Sequence, residues 1–542
     1  MIVQKLVVRR IWRAAGFAAA AVLLVSLQAC SDTTTDKAAM EETRPIPPPP
    51  QPLAPPPPPA MMGAMSNAMA LRKTSRFAPG YWQPANTSKY PHANPNPVKV
   101  TANDPVSTFS IDVDTTSYSM VRSALNYGRL PQADQVRVEE MVNYFDYAYP
   151  APQSTKTPFK TSVRVYPTPW NANTKILHIG IKGYDIPKTK RPPANLVFLI
   201  DTSGSMNAPN KLPLLVKAFR LLASQMGEND RVSIVAYAGS AGVVLPPTRG
   251  SDRHKIMAAL NSLSAGGSTA GGAGIQLAYK LVEENMIKGG VNRVLLATDG
   301  DFNVGITDPE ALKDFVVAER EKGVAITCIG FGNDNYNDVT MQNLAQAGNG
   351  NAVFVDNENE ARKVFVQQLG STLITIAKDV KIQVEFNPAR VAEYRLIGYE
   401  TRALNDTDFN NDKVDAGDIG AGHTVTALYE ITPTGSPAQM SDPLRYGKTT
   451  EAAAAGKGNV NKGGEYAFVK IRYKRPGETK SHLITRPVTN ADAVAQLQSV
   501  PADMRFAAAV AGAAQLMRHD PYIKDFSFAR AQRIADAARG DD

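Results

Sequence analysis

The chain has 542 residues, of which 43% are hydrophobic and 20% are charged, so it is long enough for more than one domain with a buried core. Part of its formal net charge of +8 lies in the first residues, and the remaining basic residues are scattered. The sequence has no basic stripe with interleaved aromatic residues, which argues against nucleic-acid binding. Histidine is rare, and no Ser/His/Asp or Cys/His constellation stands out. The six histidines lie far apart without the spacing of metal ligands.

The N-terminus has the pattern of a secretory signal. Four basic residues precede an apolar run over 14–27, which at about 14 residues is short for a membrane span of ~20. Ala29 then precedes Cys30, and this order resembles the lipobox of bacterial lipoproteins. The resemblance implies that residues 1–29 are removed and that Cys30 carries the lipid. The alternative is an ordinary signal peptide with an unrelated cysteine.

The residue after the cysteine bears on location. In the sorting rule of Gram-negative lipoproteins, an aspartate at that position retains the protein at the inner membrane. This chain has Ser31 there, with Asp32 one place later. The lipobox resemblance therefore implies a lipid-anchored protein at the outer membrane, facing the periplasm.

A proline-rich segment follows the signal. Prolines fill 47–50 and 55–59, a composition typical of a stiff polyproline II spacer that rises ~3.1 Å per residue. The methionine- and alanine-rich stretch behind it offers little to fold around. We therefore assign residues 30–103 to a tether and expect order to begin near Asp104.

Residues 104–192 are predicted to form an α+β module. Val138, Met141 and Val142 have helical spacing, and strand-like segments follow at 160–166 and 175–182.

A phosphatase-like motif lies in this module. Asp112 and Asp114 fit Asp-x-Asp-x-Thr, the nucleophile motif of haloacid-dehalogenase-type phosphatases. The strand before Asp112 is short, and the other parts of such an enzyme do not follow. An acidic turn before a helix is therefore the favoured interpretation, and a phosphatase that uses these two aspartates is the least favoured function.

Strand and helix patterns alternate through residues 193–377. The apolar runs typical of buried strands are 196–200, 231–236, 294–297, 325–329 and 352–355. Helical patterns lie at 212–226, 254–263, 275–284, 309–322, 339–347 and 360–373. This alternation predicts an α/β domain with a parallel-dominated sheet flanked by helices. The run over 324–331 contains Cys328, which we interpret as a small buried hydrophobic residue.

Oxygen-bearing side chains follow two of these strands. Asp201, Ser203 and Ser205 come directly after the first strand, and Asp299 follows the third. Thr269 lies in a glycine-rich loop that precedes a helix. Ligand sites in such sheets lie at the carboxyl ends of the strands, and hard oxygen ligands suit Mg²⁺. Taken singly, these residues would also fit helix capping, an Asp-Gly turn or a flexible loop.

Asp-x-Ser-x-Ser, the loop threonine and the strand-end aspartate together resemble the metal-ion-dependent adhesion site of von Willebrand factor type A (VWA) domains. The resemblance implies a Rossmann-like fold and a bound Mg²⁺ or Mn²⁺, with Ca²⁺ as a further option. It implies that Asp201, Ser203 and Ser205 hold the metal directly or through water. Thr269 would join when ligand binds, and Asp299 would act through water. An open position would take an Asp or Glu carboxylate of a protein partner, and the helix over 360–373 would move.

Residues 378–542 change to a period of two. Strands are predicted at 381–386, 424–431, 466–473 and 482–485, followed by helices at 504–517 and 528–538. We expect a C-terminal β-rich, sandwich-like domain with terminal helices. The acidic segment 406–412 resembles the start of an EF-hand loop but lacks its glycine and glutamate, so a solvated turn is favoured over a calcium site.

Taken together, these regions resemble the YfbK-type VWA lipoproteins of bacteria. The resemblance rests on 107–114, 138–145, the metal motif and 415–423. It implies a central VWA domain with an N-terminal α+β module and a C-terminal β-rich domain, and it brings no defined biochemical activity. The leading hypothesis is a non-enzymatic envelope lipoprotein that binds a protein partner through the metal. Its rival is an envelope scaffold whose metal is purely structural.

Overall fold

The computed structural model describes residues 88–112, 114–154, 156–266, 272–300, 308–332, 336–368, 373–442, 464–523 and 525–540. Cys30, the proline-rich segment and Thr269 lie outside the described residues. None of the helices within the described ranges is both long and apolar enough to cross a membrane. Described structure begins at Ser88, so part of the segment assigned to the tether is ordered.

The described helices and strands follow one another along the chain. The strands are β1 (Lys99–Val100), β2 (Val106–Ser110), β3 (Phe159–Pro167), β4 (Lys175–Gly183), β5 (Ala194–Asp201), β6 (Arg231–Tyr237), β7 (Ala241–Arg249), β8 (Val291–Thr298), β9 (Ala325–Phe331), β10 (Ala352–Val355), β11 (Thr375–Phe386), β12 (Val391–Ile397), β13 (Gly417–Gly420), β14 (Thr424–Pro433), β15 (Glu465–Lys474) and β16 (His482–Thr489). The helices are α1 (Thr116–Asn126), α2 (Val138–Asn143), α3 (Leu212–Ser224), α4 (Arg253–Asn261), α5 (Gly272–Glu284), α6 (Pro309–Glu321), α7 (Asp338–Ala347), α8 (Glu358–Arg362), α9 (Ala502–Arg518) and α10 (Phe528–Asp536).

The central domain is a Rossmann-like α/β layer structure, as the alternating pattern predicts. Its six strands have the order β10-β9-β8-β5-β6-β7, and all are parallel except β7. Phe198 packs on Phe219 of α3, with ring centroids 4.3 Å apart, while Leu199 belongs to the core that faces α5, α6 and α7. Burial on both faces explains why these strands lack polar alternation. Cys328 is fully buried in this core as a free thiol, as predicted, and burial raises its pKa.

The segments on either side of the central domain share two further sheets. One is antiparallel with the order β1-β12-β14-β4-β3, and the other has the order β13-β11-β15-β16 with β2 also paired to β11. The central domain is therefore an insertion between β4 and β11 of one β-rich body. The sequence patterns assign the two flanks to separate modules. Hydrogen bonding between strands that lie far apart in the sequence produces no local pattern, so the sequence does not reveal that the flanks share their sheets.

Inward-facing side chains of the two sheets form a common core. Val163 and Ile179 from the first sheet lie in the same cluster as Ile382 and Val469 from the second. The other face of the first sheet carries Ile176 and Leu428, which pack with the alanine-rich face of α9. This framework fixes both ends of the inserted domain.

Candidate metal centre

Two aspartates meet at the carboxyl edge of the central sheet. Asp201 is the last residue of β5, and Asp299 directly follows the end of β8. These strands are parallel neighbours with Ile200 opposite Ala297, so their ends lie side by side. The topology thus brings together two carboxylates that are 98 positions apart in the sequence, as predicted from their strand-end positions.

Hydrogen bonds fix the orientation of Asp201. The Ser203 backbone N–H donates to Oδ1 at 2.9 Å, and the Thr298 hydroxyl donates to Oδ2 at 3.0 Å. The side chain is fully buried, and this burial raises the pKa of Asp201 while the two donors oppose the rise. A nearby positive charge would favour the ionised carboxylate.

The two serines continue the site towards the surface. Ser203 Oγ and Ser205 Oγ lie 3.0 Å apart, so one hydroxyl donates to the other. Ser203 is buried, whereas Ser205 is exposed. The oxygen atoms therefore extend from a buried carboxylate to a solvent-facing hydroxyl, which gives the site an open side.

Asp299 is paired with a lysine that the sequence reasoning missed. Lys211 Nζ lies 2.8 Å from Asp299 Oδ2, and both side chains are buried. Asp299 Oδ1 is buried and has no hydrogen-bond partner among the described residues. Gly332 (φ 79°) follows β9, and a Cβ there would overlap the aliphatic stem of Lys211. The only sequence signal for Lys211 was its place in the chain, just before α3 and six residues after Ser205.

The glycine-rich loop starts next to the metal motif. The Gly266 N–H donates to the Thr202 carbonyl at 2.9 Å, and α5 begins at Gly272. Thr269 lies between these two points, outside the described residues. The structure thus places the start of the loop beside Ser203, and it does not describe the position of the predicted ligand Thr269.

The donor set fits a hard divalent cation. The three described motif residues and Asp299 offer carboxylate and hydroxyl oxygens, and the orphaned Asp299 Oδ1 is a buried acceptor in need of a positive partner. Within the described ranges, no group of three or more His, Cys, Asp or Glu side chains is placed to hold a metal ion.

Arg402 holds the aspartates of the phosphatase-like motif. Its guanidinium lies 3.1 Å from both Asp112 Oδ2 and Asp114 Oδ2. Asp114 Oδ1 also accepts from the Ala352 N–H at 2.8 Å, which ties this segment to β10. Burial and the neighbouring Asp112 raise the pKa of Asp114. These contacts give the pair a clear structural role.

A lysine side chain from β11 contacts the EF-hand-like segment. Residues Asp406–Asn410 form a 3-10 turn, and Lys381 Nζ donates to the carbonyls of Asp408 and Asn411 at 3.2 and 2.6 Å. An ammonium group thus satisfies backbone oxygens of the kind that a calcium ion would take. This geometry agrees with the predicted turn.

Comparisons with known sequences identify the modules. The chain matches the family model of the von Willebrand factor type A domain over residues 195–368 and that of the C-terminal region of uncharacterized protein YfbK over 371–542. A further model described as von Willebrand factor matches 84–178. The chain is 43% identical over 489 residues to uncharacterized protein YfbK of Escherichia coli (strain K12), covering 89% of this chain and 83% of that protein.

Other proteins and solved structures are similar to this chain at lower identity. Inter-alpha-trypsin inhibitor heavy chain H4 of Homo sapiens is 26% identical over 194 residues, which are 34% of this chain and 21% of that protein. A solved von Willebrand factor type A structure from Catenulispora acidiphila covers 72% of this chain and 99% of its own, with 14% identity and a TM-score of 0.38. A structure of mussel byssus proximal thread matrix protein 1, with a zinc-occupied adhesion motif, covers 35% of this chain and 46% of its own, with 22% identity and a TM-score of 0.28.

Proposed function

The chain belongs to the YfbK family of proteins with a VWA domain, and we propose that it is a cell-envelope lipoprotein that binds a protein partner through a divalent metal. Proteins with VWA domains typically mediate protein interactions, some of them through an adhesion-type metal site. The observation that carries the proposal is the convergence of Asp201, Ser203 and Ser205 on one edge of the sheet with Asp299, whose Oδ1 has no partner among the described residues.

The residues present determine how such a site would act. Ser203 and Ser205 are neutral, and Lys211 offsets the charge of Asp299, so the local protein charge is close to that of one carboxylate. A bound divalent cation would supply an electrophilic centre with an open position for a carboxylate oxygen. Because so little negative charge surrounds that position, the metal would still attract an Asp or Glu carboxylate of the partner. We propose Mg²⁺ as the ion, with Mn²⁺ and Ca²⁺ as alternatives. Thr269 is the proposed fifth residue of the site.

The proposed location comes from the N-terminal pattern. A lipid on Cys30 would anchor the chain at the outer membrane facing the periplasm, and the proline-rich tether would give the binding domain reach. We propose a binding role rather than catalysis, because the described side chains of the site offer oxygen ligands for a metal.

The test is capture of a partner from envelope extract. The full-length chain, its Asp201→Ala variant and a matched Asp314→Ala variant, which removes an exposed carboxylate on α6, are compared in Mg²⁺ and in chelator. We expect one protein to be captured by the wild type and by Asp314→Ala in Mg²⁺, released by chelator and absent from Asp201→Ala. An Asp or Glu of that protein should be required.

Two outcomes would contradict the proposal. Equal capture by wild type and Asp201→Ala, together with a lower melting temperature of the variant, would favour the scaffold with a structural metal. Phosphatase activity of the wild type that disappears in Asp112→Asn would favour the enzyme instead. Isothermal titration of Mg²⁺, Mn²⁺ and Ca²⁺ into the wild type and Asp201→Ala ranks the ions independently of any partner.

A further inference from the structure

A second polar region lies at the other end of the central sheet. Arg293 is the third residue of β8, so it is separated from Asp299 by about 20 Å of strand. There the inserted domain meets the start of β11. Two cavities of about 190 and 480 Å³ lie at this junction, and both are lined by Arg293, Thr375 and Asp418. The larger one falls within the size range of small-molecule sites.

Arg293 is a buried cation without an ion pair among the described residues, although the more distant Asp418 favours its charged form. Arg293 is only 4% exposed, and no carboxylate lies within 4 Å of its guanidinium group in the part of the chain that the structure describes. One guanidinium nitrogen, Nη1, donates to Thr327 Oγ1 at 2.6 Å, whereas the buried Nε–H has no partner among the residues that the structure describes. Burial lowers the pKa of Arg293 to about 10, so it remains charged at neutral pH. A buried charge without a counter-ion is strongly unfavourable.

The rest of the larger cavity also favours an anion. Lys378 lines it and has no ion pair among the described residues, while Arg320 lines it and is paired with Asp415 at 2.9 Å. Asp418, the one carboxylate among the described lining residues, has a buried Oδ2 without a partner in that part of the chain, and burial raises its pKa to about 7. Asp418 is thus protonated in part at neutral pH, and its hydroxyl would then be a donor.

We propose that this cavity binds a small polar molecule through its oxyanion group, a carboxylate or a phosphate. The Nε–H of Arg293 is a donor without a partner among the described residues, and a carboxylate or phosphate could accept from Nε–H and Nη2–H together. Lys378 supplies the second cation. The ligand would join the inserted domain to β11 of the sandwich, at a site independent of the metal centre.

The test measures binding of two oxyanions by the full-length chain in the presence of chelator. Sodium phosphate and sodium acetate are compared with sodium chloride at equal ionic strength. We expect at least one oxyanion to raise the melting temperature by about 2 °C or more over chloride. Arg293→Met should lose this rise and weaken binding at least ten-fold. Lys280→Met, which removes an exposed lysine on α5, is the matched control and should retain it.

A second measurement does not depend on the variant folding. The Arg Nε–H resonances of the ¹⁵N-labelled wild type are recorded with and without each oxyanion, and Lys378→Met serves as a milder second variant. One protected Nε–H signal should shift on addition of the oxyanion and not of chloride. No shift of any Nε–H signal, or an equal thermal response of wild type and Arg293→Met, would overturn the proposal and leave a water-filled cavity.

Discussion

Lys211 gives the candidate metal centre an internal positive charge. It pairs with Asp299 in the protein interior, where a divalent cation would compete for the same carboxylate. In chelator, Lys211→Met leaves that carboxylate buried without a cation, and we expect a loss of about 3–5 kcal/mol in the free energy of unfolding. Saturating Mg²⁺ should restore more stability to this variant than it adds to the wild type, because the metal then binds beside a carboxylate whose charge Lys211 no longer offsets.

Urea unfolding in chelator and in Mg²⁺ checks this competition. Lys217→Met on the same helix is the control, since its pair with Glu358 is exposed and surface pairs are worth only ~0–1 kcal/mol. The same Mg²⁺ response in Lys211→Met and wild type would mean that Lys211 and the metal do not compete for Asp299.

The sequence predicts some residues of this site and not others. Asp201 and Asp299 each follow an apolar run, so the sheet rule alone places them together. Lys211 could not be found in this way, because a lysine before a helix is usually a solvated residue. Only the tertiary contact with Gly332, at the end of another strand, directs its side chain towards Asp299.

Among the elements, β4 carries a buried histidine whose neutrality ties stability to pH. His178 is fully buried, and its Nδ1 and Nε2 lie 3.1 and 2.7 Å from the hydroxyls of Tyr166 and Tyr149. Burial lowers the pKa of His178 to about 3, below the ~6.5 of an unfolded chain. The folded state therefore resists protonation, and this contribution is present above pH 6.5 and is lost as the pH falls towards 3.

We expect His178 to reduce the free energy of unfolding by about 2 kcal/mol between pH 7.5 and pH 5. Because buried acids such as Asp338 and Glu400, whose pKa values are raised to about 6 and 7, act in the opposite direction, the comparison is made with His178→Gln. The difference between wild type and variant in urea unfolding should change by this amount over the interval. A constant difference would contradict the prediction.

The short helix α8 depends on contacts with the N-terminal segment. Arg122 of α1 reaches Glu360 Oε2 at 2.7 Å and Asp356 Oδ2 at 3.0 Å, and the Tyr144 hydroxyl donates to Glu360 at 2.6 Å. Such a short helix has little stability of its own. The helix continues as a π-helical turn over Lys363–Gln367, so the first part of the helix predicted over 360–373 changes its geometry after Arg362. Residues 369–372 lie outside the described ranges.

Arg122→Met should loosen α8 without unfolding the sheet. We expect amide hydrogens of α8 to exchange at least ten-fold faster, equivalent to about 1.4 kcal/mol, as measured by hydrogen exchange and mass spectrometry. Arg220→Met on the outer side of α3 serves as the control. Unchanged exchange in α8 would show that its own packing is sufficient to hold it.

Elements were predictable where their side chains follow one period. The buried strands β5, β8 and β9 are continuous apolar runs, and α9 is an alanine-rich helix. In contrast, β12 was missed because Glu393 and Arg395 are buried within it. Arg395 is satisfied by tertiary contacts, with Glu430 from β14 at 2.9 Å and with Gln515 and Asp520 at 2.6 and 3.5 Å. The edge strand β7 was missed because it contains two prolines. An edge strand tolerates proline because no further strand requires its backbone N–H groups on that side.

At the scale of the whole molecule, the inserted domain and the β-rich body differ in what each needs in order to fold. The central sheet draws all its strands from one continuous segment, whereas β4 pairs with β14 and β2 pairs with β11 across the insertion. We expect a fragment of residues 194–374 to unfold cooperatively on its own. A fragment of residues 375–542 should not, because it lacks β2, β3 and β4 and leaves apolar surface and strand edges open.

Near-UV circular dichroism during urea unfolding distinguishes the two fragments, with the full-length chain as reference. Replacement of 184–374 by a flexible linker is the decisive companion experiment, since it keeps both flanks in one chain and removes only the insertion. This variant should regain a cooperative transition that residues 375–542 lack. A cooperative transition in residues 375–542 alone would mean that the strands from the first flank are not needed to complete the core of the sandwich. The two flanks would then be separate folding units, as the sequence patterns suggest.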